Sequence, residues 1–532
     1  MTQPCNIENE GPAYFSGDYL RFQWPAILLV RAAVRPVLLY PTNGVMVEAR
    51  KILPGYSKNG FCSICQGNRK PFLQSFLQKG DAFPYGQLIR LSVAIPVHNE
   101  ESVLQKLLAR VRSVRNGLAG GRTRSPSRTI EARTELSKCS PRQLRIKKGT
   151  CTLDRKIDFW MSQFGAEEKL RVAEVIDSGF LNDGDVTSQF ERQVAEMLGC
   201  KHVVATTSGT SAIFLALASV GIKASDEVLV PDVTFIATAN AVSLTGAKPV
   251  LVDVDPQNLN LDPAAAERAI TPRTKAIIPV HVSGRAADVG AISDVVKRHG
   301  LLMIEDAAEA LLSKHRGKYL GTFGSAGCFS LSPNKTITTG QGGLIATDDD
   351  QLHVRLRELK DQGRPARGTG GDDTHNSVGY NFKFTNLQAA IGLAQLKDLP
   401  RRADRMRDIY KGYRDGLRGV EGISVIPFRI DEGEVPQWTD VLVDRRDVLY
   451  DHLVAHGIRG RRFWHPLHTQ APYRMPSEQF PNSSKQIPRA MWLPSAFTLS
   501  DADVAEVCAE IQSFVKLQTG FNGGQRRPHA IT

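Results

Sequence analysis

Between residues 156 and 517, short β-rich runs alternate with helical patterns, and no other property of the chain narrows its architecture as much. The runs fall at 203–206, 227–230, 249–254, 276–280, 301–305, 327–331 and 343–346. Strands joined by helices must cross over, so this order implies a mixed, mostly parallel seven-stranded sheet with helices on both faces, an α/β fold. Ligands of such sheets bind beyond the carboxyl ends of the strands. Two runs end on residues that carry chemistry. Leu301-Leu302-Met303-Ile304 leads to Asp306, and Gly327-Cys328-Phe329-Ser330-Leu331 leads to Lys335.

The rest of the chain has a different texture. A length of 532 residues is ample for two or three domains. Residues 1–89 read as an irregular extension punctuated by Pro and Gly, 90–122 as a partial folded unit, and 123–155 as a basic linker. The regular part divides into a large domain at 156–394 and a smaller α+β domain at 395–517, which opens on a long charged helix at 395–417. A polar, Gly-rich tail at 518–532 is expected to fray. The 90–122 segment begins Leu91-Ser92-Val93-Ala94-Ile95-Pro96-Val97-His98-Asn99-Glu100-Glu101, a strand, a turn and a helix start running through Val114. It resembles the first strand and helix of a family-2 glycosyltransferase, without the later acidic metal-binding motif, and is read as a fragment with no transferase activity of its own.

Charge and cysteine usage exclude several function classes. The net charge of +12 arises in the first 150 residues, which hold 23 Lys/Arg against 9 Asp/Glu; the remainder holds 44 against 46. That distribution describes a basic linker rather than a nucleic-acid or membrane surface on the regular domain. Eight scattered cysteines suit a reducing compartment. Cys62-Ser63-Ile64-Cys65 has metal-ligand spacing but no second pair nearby, so no metal is expected. The apolar run at 25–40 is broken by Arg31 and Arg35 and is too short to span a bilayer. With no cleavable leader evident after Met1, a cytoplasmic location is expected.

Four pieces of the regular region converge on one kind of cofactor. At Thr207-Ser208-Gly209-Thr210-Ser211-Ala212 a strand turns into a helix, where backbone amides and the Thr210 and Ser211 hydroxyls could face a phosphate; ordinary N-capping accounts for the same residues. Phe235 follows a strand and could stack on a planar ring or fill the core. Asp306 could hold a protonated pyridine nitrogen or cap a helix at Ala307-Ala308-Glu309-Ala310. Lys335 could form a covalent link through its amine and shuttle protons. Gly340-Gln341-Gly342-Gly343 then allows backbone to crowd where a Cβ would not fit.

With these come Ser178-Gly179-Phe180-Leu181, Val252-Asp253-Val254-Asp255, Pro279-Val280-His281, Glu305-Asp306-Ala307-Ala308-Glu309-Ala310, Gly379-Tyr380-Asn381-Phe382-Lys383-Phe384-Thr385-Asn386 and Trp464-His465-Pro466-Leu467-His468. Over residues 156–517 the chain resembles the DegT/DnrJ-type sugar aminotransferases, pyridoxal-phosphate enzymes of the aspartate-aminotransferase fold (fold type I). The resemblance implies Lys335 as the lysine that holds the cofactor and Asp306 as the partner of its ring nitrogen. It further implies Thr210, Ser211 and Ser330 at the phosphate, Phe235 on the ring, and Glu309 near the ring hydroxyl. Lys383 stands where the family has arginine or asparagine reaching the phosphate of a neighbouring subunit, which implies a homodimer with shared sites. The lysine segment looks most like that of perosamine synthases, which aminate a GDP-linked 4-keto-6-deoxyhexose with glutamate as donor; UDP- or dTDP-linked keto sugars, amination at the 3-keto position and a non-catalytic role are the alternatives. Lysine at 335 argues against the related dehydratases, which carry histidine there. His468 and Trp464 are the candidate substrate contacts; His281, His465 and His468 could each touch substrate or be structural, and Trp464, beside the arginines at 459, 461 and 462, could border a nucleotide diphosphate or sit among solvated arginines.

Overall fold

The computed structural model describes residues 156–365 and 373–522, with side chains to residue 517, and five short strands earlier in the chain. The chain divides into two compact units at Arg155/Lys156. In the first, Ile27–Ala32 pairs antiparallel with both Arg35–Val37 and Arg90–Ala94. Gln143–Lys147 and Thr150–Asp154 form a hairpin within the segment expected to be linker. The helix expected after residue 94, the CxxC pair and the chain beyond 522 lie outside the described residues.

The second unit contains the expected seven-stranded sheet. Its strands are β1 (His202–Thr206), β2 (Glu227–Pro231), β3 (Lys248–Val252), β4 (Thr274–Ile277), β5 (Leu302–Asp306), β6 (Ala326–Ser330) and β7 (Gly343–Thr347). Across the sheet the order is β1-β7-β6-β5-β4-β2-β3. Only β7 runs against the others, pairing antiparallel with both β6 and β1. Alternate residues face opposite helical layers, as a pleated strand demands. Val204, Cys328 and Ile345 enter one core, while Val203, Phe329 and Leu344 enter the other. The first core surrounds α3 (Gly209–Ser219), which is apolar and buried from Ser211 to Leu217. The second is closed by α2 (Asp185–Leu198) and α8 (Asn386–Leu396), following α1 (Ala166–Ser178) in the chain. In it Gly392 admits Phe190 so closely that a Cβ would lie 2.6 Å from the ring.

The remaining helices of this half are α4 (Ala237–Leu244), α5 (Pro263–Arg268), α6 (Val289–His299) and α7 (Asp350–Lys360). No helix among the described residues is long and apolar enough to cross a membrane. The helix expected at 395–417 is two helices: α8 ends at Leu396, and α9 (Leu399–Gly416) starts anew with Pro400 in its first turn, where the missing amide costs nothing. A four-stranded antiparallel sheet follows, ordered β8 (Ile423–Val425), β9 (Thr439–Val443), β11 (Ala490–Leu493), β10 (Arg461–Arg462). With α9, α10 (Arg446–Ala455) and α11 (Asp501–Asn522) it encloses Tyr413, Val441, Leu449, Met491 and Ile511. Residues 156–160, expected at the start of the large domain, pack instead on this smaller sheet. Ile157 bridges to Ile458, and Phe159 lies 5.6 Å from Trp438. Helix α11 also continues through Asn522, into the expected tail.

The carboxyl ends of six strands and the start of β7 share one edge. The registers Thr206↔Gly343 and Ser330↔Gly343 line up three strands there. A Cβ on Gly343 would stand 2.1 Å from the Ser208 carbonyl oxygen. Gly343→Ala therefore has to push β7 away from the turn after β1. A loss of roughly 3 kcal/mol in denaturant-unfolding stability is expected; an unchanged midpoint would contradict the close approach.

Candidate active site

Strand β5 carries Asp306 into the protein at that edge, opposite Cys328 of β6. The carboxyl is buried, with Oδ2 accepting from Thr238 Oγ1 at 2.7 Å and Oδ1 from the Ala308 amide at 3.1 Å. Thr238 is in turn 2.8 Å from Thr234 Oγ1. Burial pushes the Asp306 pKa up, opposed by these hydrogen bonds and by the charge of Lys335. No helix follows Asp306: residues 307–312 form turns, with Ala310 N–H on the Ala307 carbonyl at 2.9 Å. The helix-cap alternative for this aspartate therefore does not hold. A buried carboxyl whose hydrogen bonds come from neutral donors is suited to a cationic ring nitrogen.

Lys335 meets the second carboxyl of this region. Its Nζ donates to Glu309 Oε1 at 3.2 Å and lies 5.0 Å from the centre of the Trp438 ring. Burial raises the Glu309 pKa, and Lys335 and the Ser283 amide, 2.9 Å from Oε2, oppose the shift. Ser283 has a left-handed backbone, φ 54°, followed by Gly284 at φ 96°, where a Cβ would meet the Val435 oxygen at 2.2 Å. Ser283 Oγ donates to Asp440 Oδ1 at 2.8 Å and accepts from Trp492 Nε1 at 3.0 Å. The smaller sheet thus holds the backbone that holds Glu309.

The lysine loop is fixed in the same way. Gln437 Oε1 accepts from the Thr336 amide and hydroxyl at 3.2 and 2.7 Å, and its Nε2 donates to Asn334 O at 3.1 Å. Arg402 donates to Thr336 O at 2.8 Å, and Trp160 Nε1 to Pro333 O at 3.1 Å. The sequence reading missed Thr238, Ser283, Gln437 and Trp438. Gln437-Trp438 immediately precedes β9, far along the chain, and only folding carries it to Lys335.

At the turn after β1 both readings of Ser211 can be weighed. Ser208 caps α3, and the Ser211 hydroxyl closes the box back to the Ser208 amide at 2.9 Å and carbonyl at 2.8 Å. Capping therefore engages Ser211. The amides of Gly209 and Thr210, the first two of the helix, have no acceptor within it. Ser330 faces them so closely that a Cβ on Gly209 would be 3.0 Å from Ser330 Cβ. Phe235 is 53% exposed, which removes the core alternative, and its carbonyl accepts from the amide of Thr238, the residue bonded to Asp306.

Other expected residues serve different partners. Lys383 bridges to Thr206 through its backbone, but its ammonium pairs with Asp361 of the same chain. His468 is fully enclosed, with Nδ1 2.7 Å from Asp232 Oδ2, Nε2 3.2 Å from Ser477 Oγ, and its ring stacked on Phe480. That makes it a fastener of the 466–484 loop to the end of β2. Trp464 packs on Phe463 and Trp492. His281 is buried against Glu305 at 3.0 Å, and His465 is exposed. Arg459 and Arg462 pair with Asp158 and Asp447, and Arg461 lies over the Trp492 ring.

Free helix-start amides, a buried carboxyl, a partly enclosed amine and an exposed aromatic match the phosphate, ring nitrogen, aldehyde and ring face of pyridoxal 5'-phosphate. Residues 162–512 match the model of the DegT/DnrJ/EryC1/StrS aminotransferase family. The chain belongs to that family. It is 38% identical to GDP-perosamine synthase of Caulobacter vibrioides over 65% of this chain and 94% of that protein. It is 36% identical to GDP-perosamine synthase of Escherichia coli O157:H7 over 67% and 98%. The crystal structure of DesV from S. venezuelae, in complex with a ketimine intermediate, superposes with a TM-score of 0.63 at 34% identity, over 66% of this chain and 95% of that one. The protein is an aminotransferase dependent on pyridoxal 5'-phosphate. Residues 1–161 lie outside the family match.

The buried carboxyls give a signed pH effect. Asp306 and Glu309 have pKa values raised by folding, so the protonated forms favour the folded state. Their contribution is greatest below the ordinary carboxylate range and is lost as pH rises through the raised values. Asp306→Asn should therefore make the cofactor-free protein more stable by about 1 kcal/mol at pH 8, with a flatter fall of stability from pH 5 to 8, while transamination is lost. Thermal unfolding of both proteins across that range is the check. A variant that is less stable at pH 8 with an unchanged pH slope would contradict the reading.

Proposed function

We propose that this enzyme transfers the amino group of glutamate to a nucleotide-linked 4-keto-6-deoxy sugar, a GDP-linked one in the first instance. The observation that carries the reading is the Asp306, Glu309 and Lys335 group at the strand ends. The substrate class is supported by relatives named GDP-perosamine synthase, which align over nearly their full length.

When bound, pyridoxal 5'-phosphate would supply the electron sink that amino-group transfer requires. The chain's residues do the rest. Gly209, Thr210 and Ser330 would bind the phosphate from the turn, Phe235 would cover the ring, and Asp306 would hold the proton on the ring nitrogen. Lys335 would hold the cofactor through Nζ, and its amine would serve to move a proton at the reacting carbon. Glu309 orients that amine, and the Trp438 ring screens it from water. His468, held by Asp232, and Trp464, packed on Phe463 and Trp492, would act by fixing the 466–484 loop and the aromatic layer rather than by touching the sugar.

A homodimer is part of this reading. Phe164, Leu170, Ile176 and Phe180 present apolar side chains outward just before, on and after α1, Phe180 being 78% exposed, and Val378 is 88% exposed near Lys383. Such exposed apolar groups suit a second copy of the chain.

The test is glutamate-dependent amination of GDP-, UDP- and dTDP-linked keto sugars by the full chain, with the product's amino position assigned by NMR. Amination at C4 of the GDP-linked sugar is expected, with Lys335→Ala slower by about 10³-fold or more. Turnover of another nucleotide alone would move the assignment to that nucleotide. No turnover of any would overturn the reading.

A further inference from the structure

Helices α10 and α11 bring together two histidines and a glutamate that the transamination site does not use. His452 Nε2 is 3.0 Å from Glu510 Oε1, and His456 Nε2 is 3.3 Å from the same oxygen. The three ligand atoms lie within 4.8 Å of one another. The histidines are four positions apart, so one helical turn brings their rings together, centroids 4.3 Å apart and planes tilted by 37°. Phe514, one turn beyond Glu510 on α11, backs the His452 ring at 5.3 Å.

The tautomer of His456 decides what this cluster needs. Its Nδ1 lies 2.8 Å from the His452 carbonyl oxygen. A carbonyl can only accept, so Nδ1 carries the hydrogen. In the neutral ring Nε2 then has a lone pair, and it is this nitrogen that faces Glu510 Oε1. Two acceptors 3.3 Å apart repel unless a cation, a proton or a metal ion, sits between them. A histidine whose far nitrogen donates to a backbone carbonyl is the usual setting of a metal ligand. Ligand atoms about 2.0–2.2 Å from a tetrahedral zinc ion stand about 3.3–3.5 Å from one another. The 3.0 and 3.3 Å separations are close to that spacing.

We propose that His452, His456 and Glu510 bind a divalent transition metal of the zinc class, with water completing the tetrahedron. The His456 side chain is 49% exposed and that of Glu510 27%, so metal and water reach the cluster from solvent. The ion clamps α11 onto α10 and the smaller sheet. The expectation of no metal rested on the isolated Cys62 and Cys65 pair; His456 and Glu510 lie 54 positions apart, and only the packing of α10 on α11 brings them together.

The test uses full-length enzyme stripped with chelator and then dialysed against micromolar zinc chloride, comparing wild type with His456→Ala and Glu510→Gln. The first variant trims a half-exposed ring, and the second keeps the side-chain volume, so both should fold. Wild type is expected to hold one more equivalent of zinc per chain than either variant. Zinc should raise its melting midpoint by about 3 °C and leave both variants unshifted, with transamination rates equal in all three. Equal zinc content and no zinc-dependent shift specific to wild type would overturn the proposal and leave a protonated His–Glu pair. Zinc sites elsewhere in the chain, at Cys62 and Cys65 for example, cancel in this comparison.

Discussion

Asp306 and Glu309 place two carboxyls three residues apart in the interior, and Lys335 is the amine the fold brings to them. Burial makes both carboxylates unfavourable, so the arrangement persists only because neighbouring elements hold it. Thr238 and the Ala308 amide satisfy Asp306, while Lys335 and the Ser283 amide satisfy Glu309. In the proposed reading, a cofactor whose cationic ring nitrogen meets Asp306 would relieve the same cost and couple binding to folding.

The two sheets divide this labour. The seven-stranded sheet delivers the turn after β1, Asp306 and the ends of the lysine loop to one edge. The smaller antiparallel sheet supplies the restraint: Gln437 hydrogen-bonds the lysine loop on both sides, and Asp440 and Trp492 hold Ser283 in the left-handed conformation that aims its amide at Glu309. A displacement of the smaller sheet would be felt at Lys335 through Gln437 and Trp438. Positioning of this kind makes residues far from the reacting carbon matter to rate.

The parts legible in the sequence were those fixed by local pattern. The run at 203–206 is the strand His202–Thr206, and the run at 343–346 is Gly343–Thr347, because strands buried on both faces read as apolar runs between glycines and polar turns. Lys335 and Asp306 stood out because each follows such a run. What pattern could not supply was partnership. His468 looked available to a sugar until the fold set it on Asp232, and Ser211 looked available to a phosphate until it closed the cap with Ser208. Glu309 and Lys335 lie 26 residues apart, and no spacing rule joins them. The break between α8 and α9 was signalled by Pro400 and was overridden by a continuous charged texture.

The central claim is that Lys335, held by Glu309 and the Gln437 contacts, is the amine that anchors the cofactor. Borohydride reduction of the enzyme loaded with pyridoxal 5'-phosphate, followed by peptide mapping by mass spectrometry, tests it directly. The account predicts one cofactor-derived adduct per chain, on Lys335. An adduct on another lysine, or none on a protein that retains the cofactor, would contradict it.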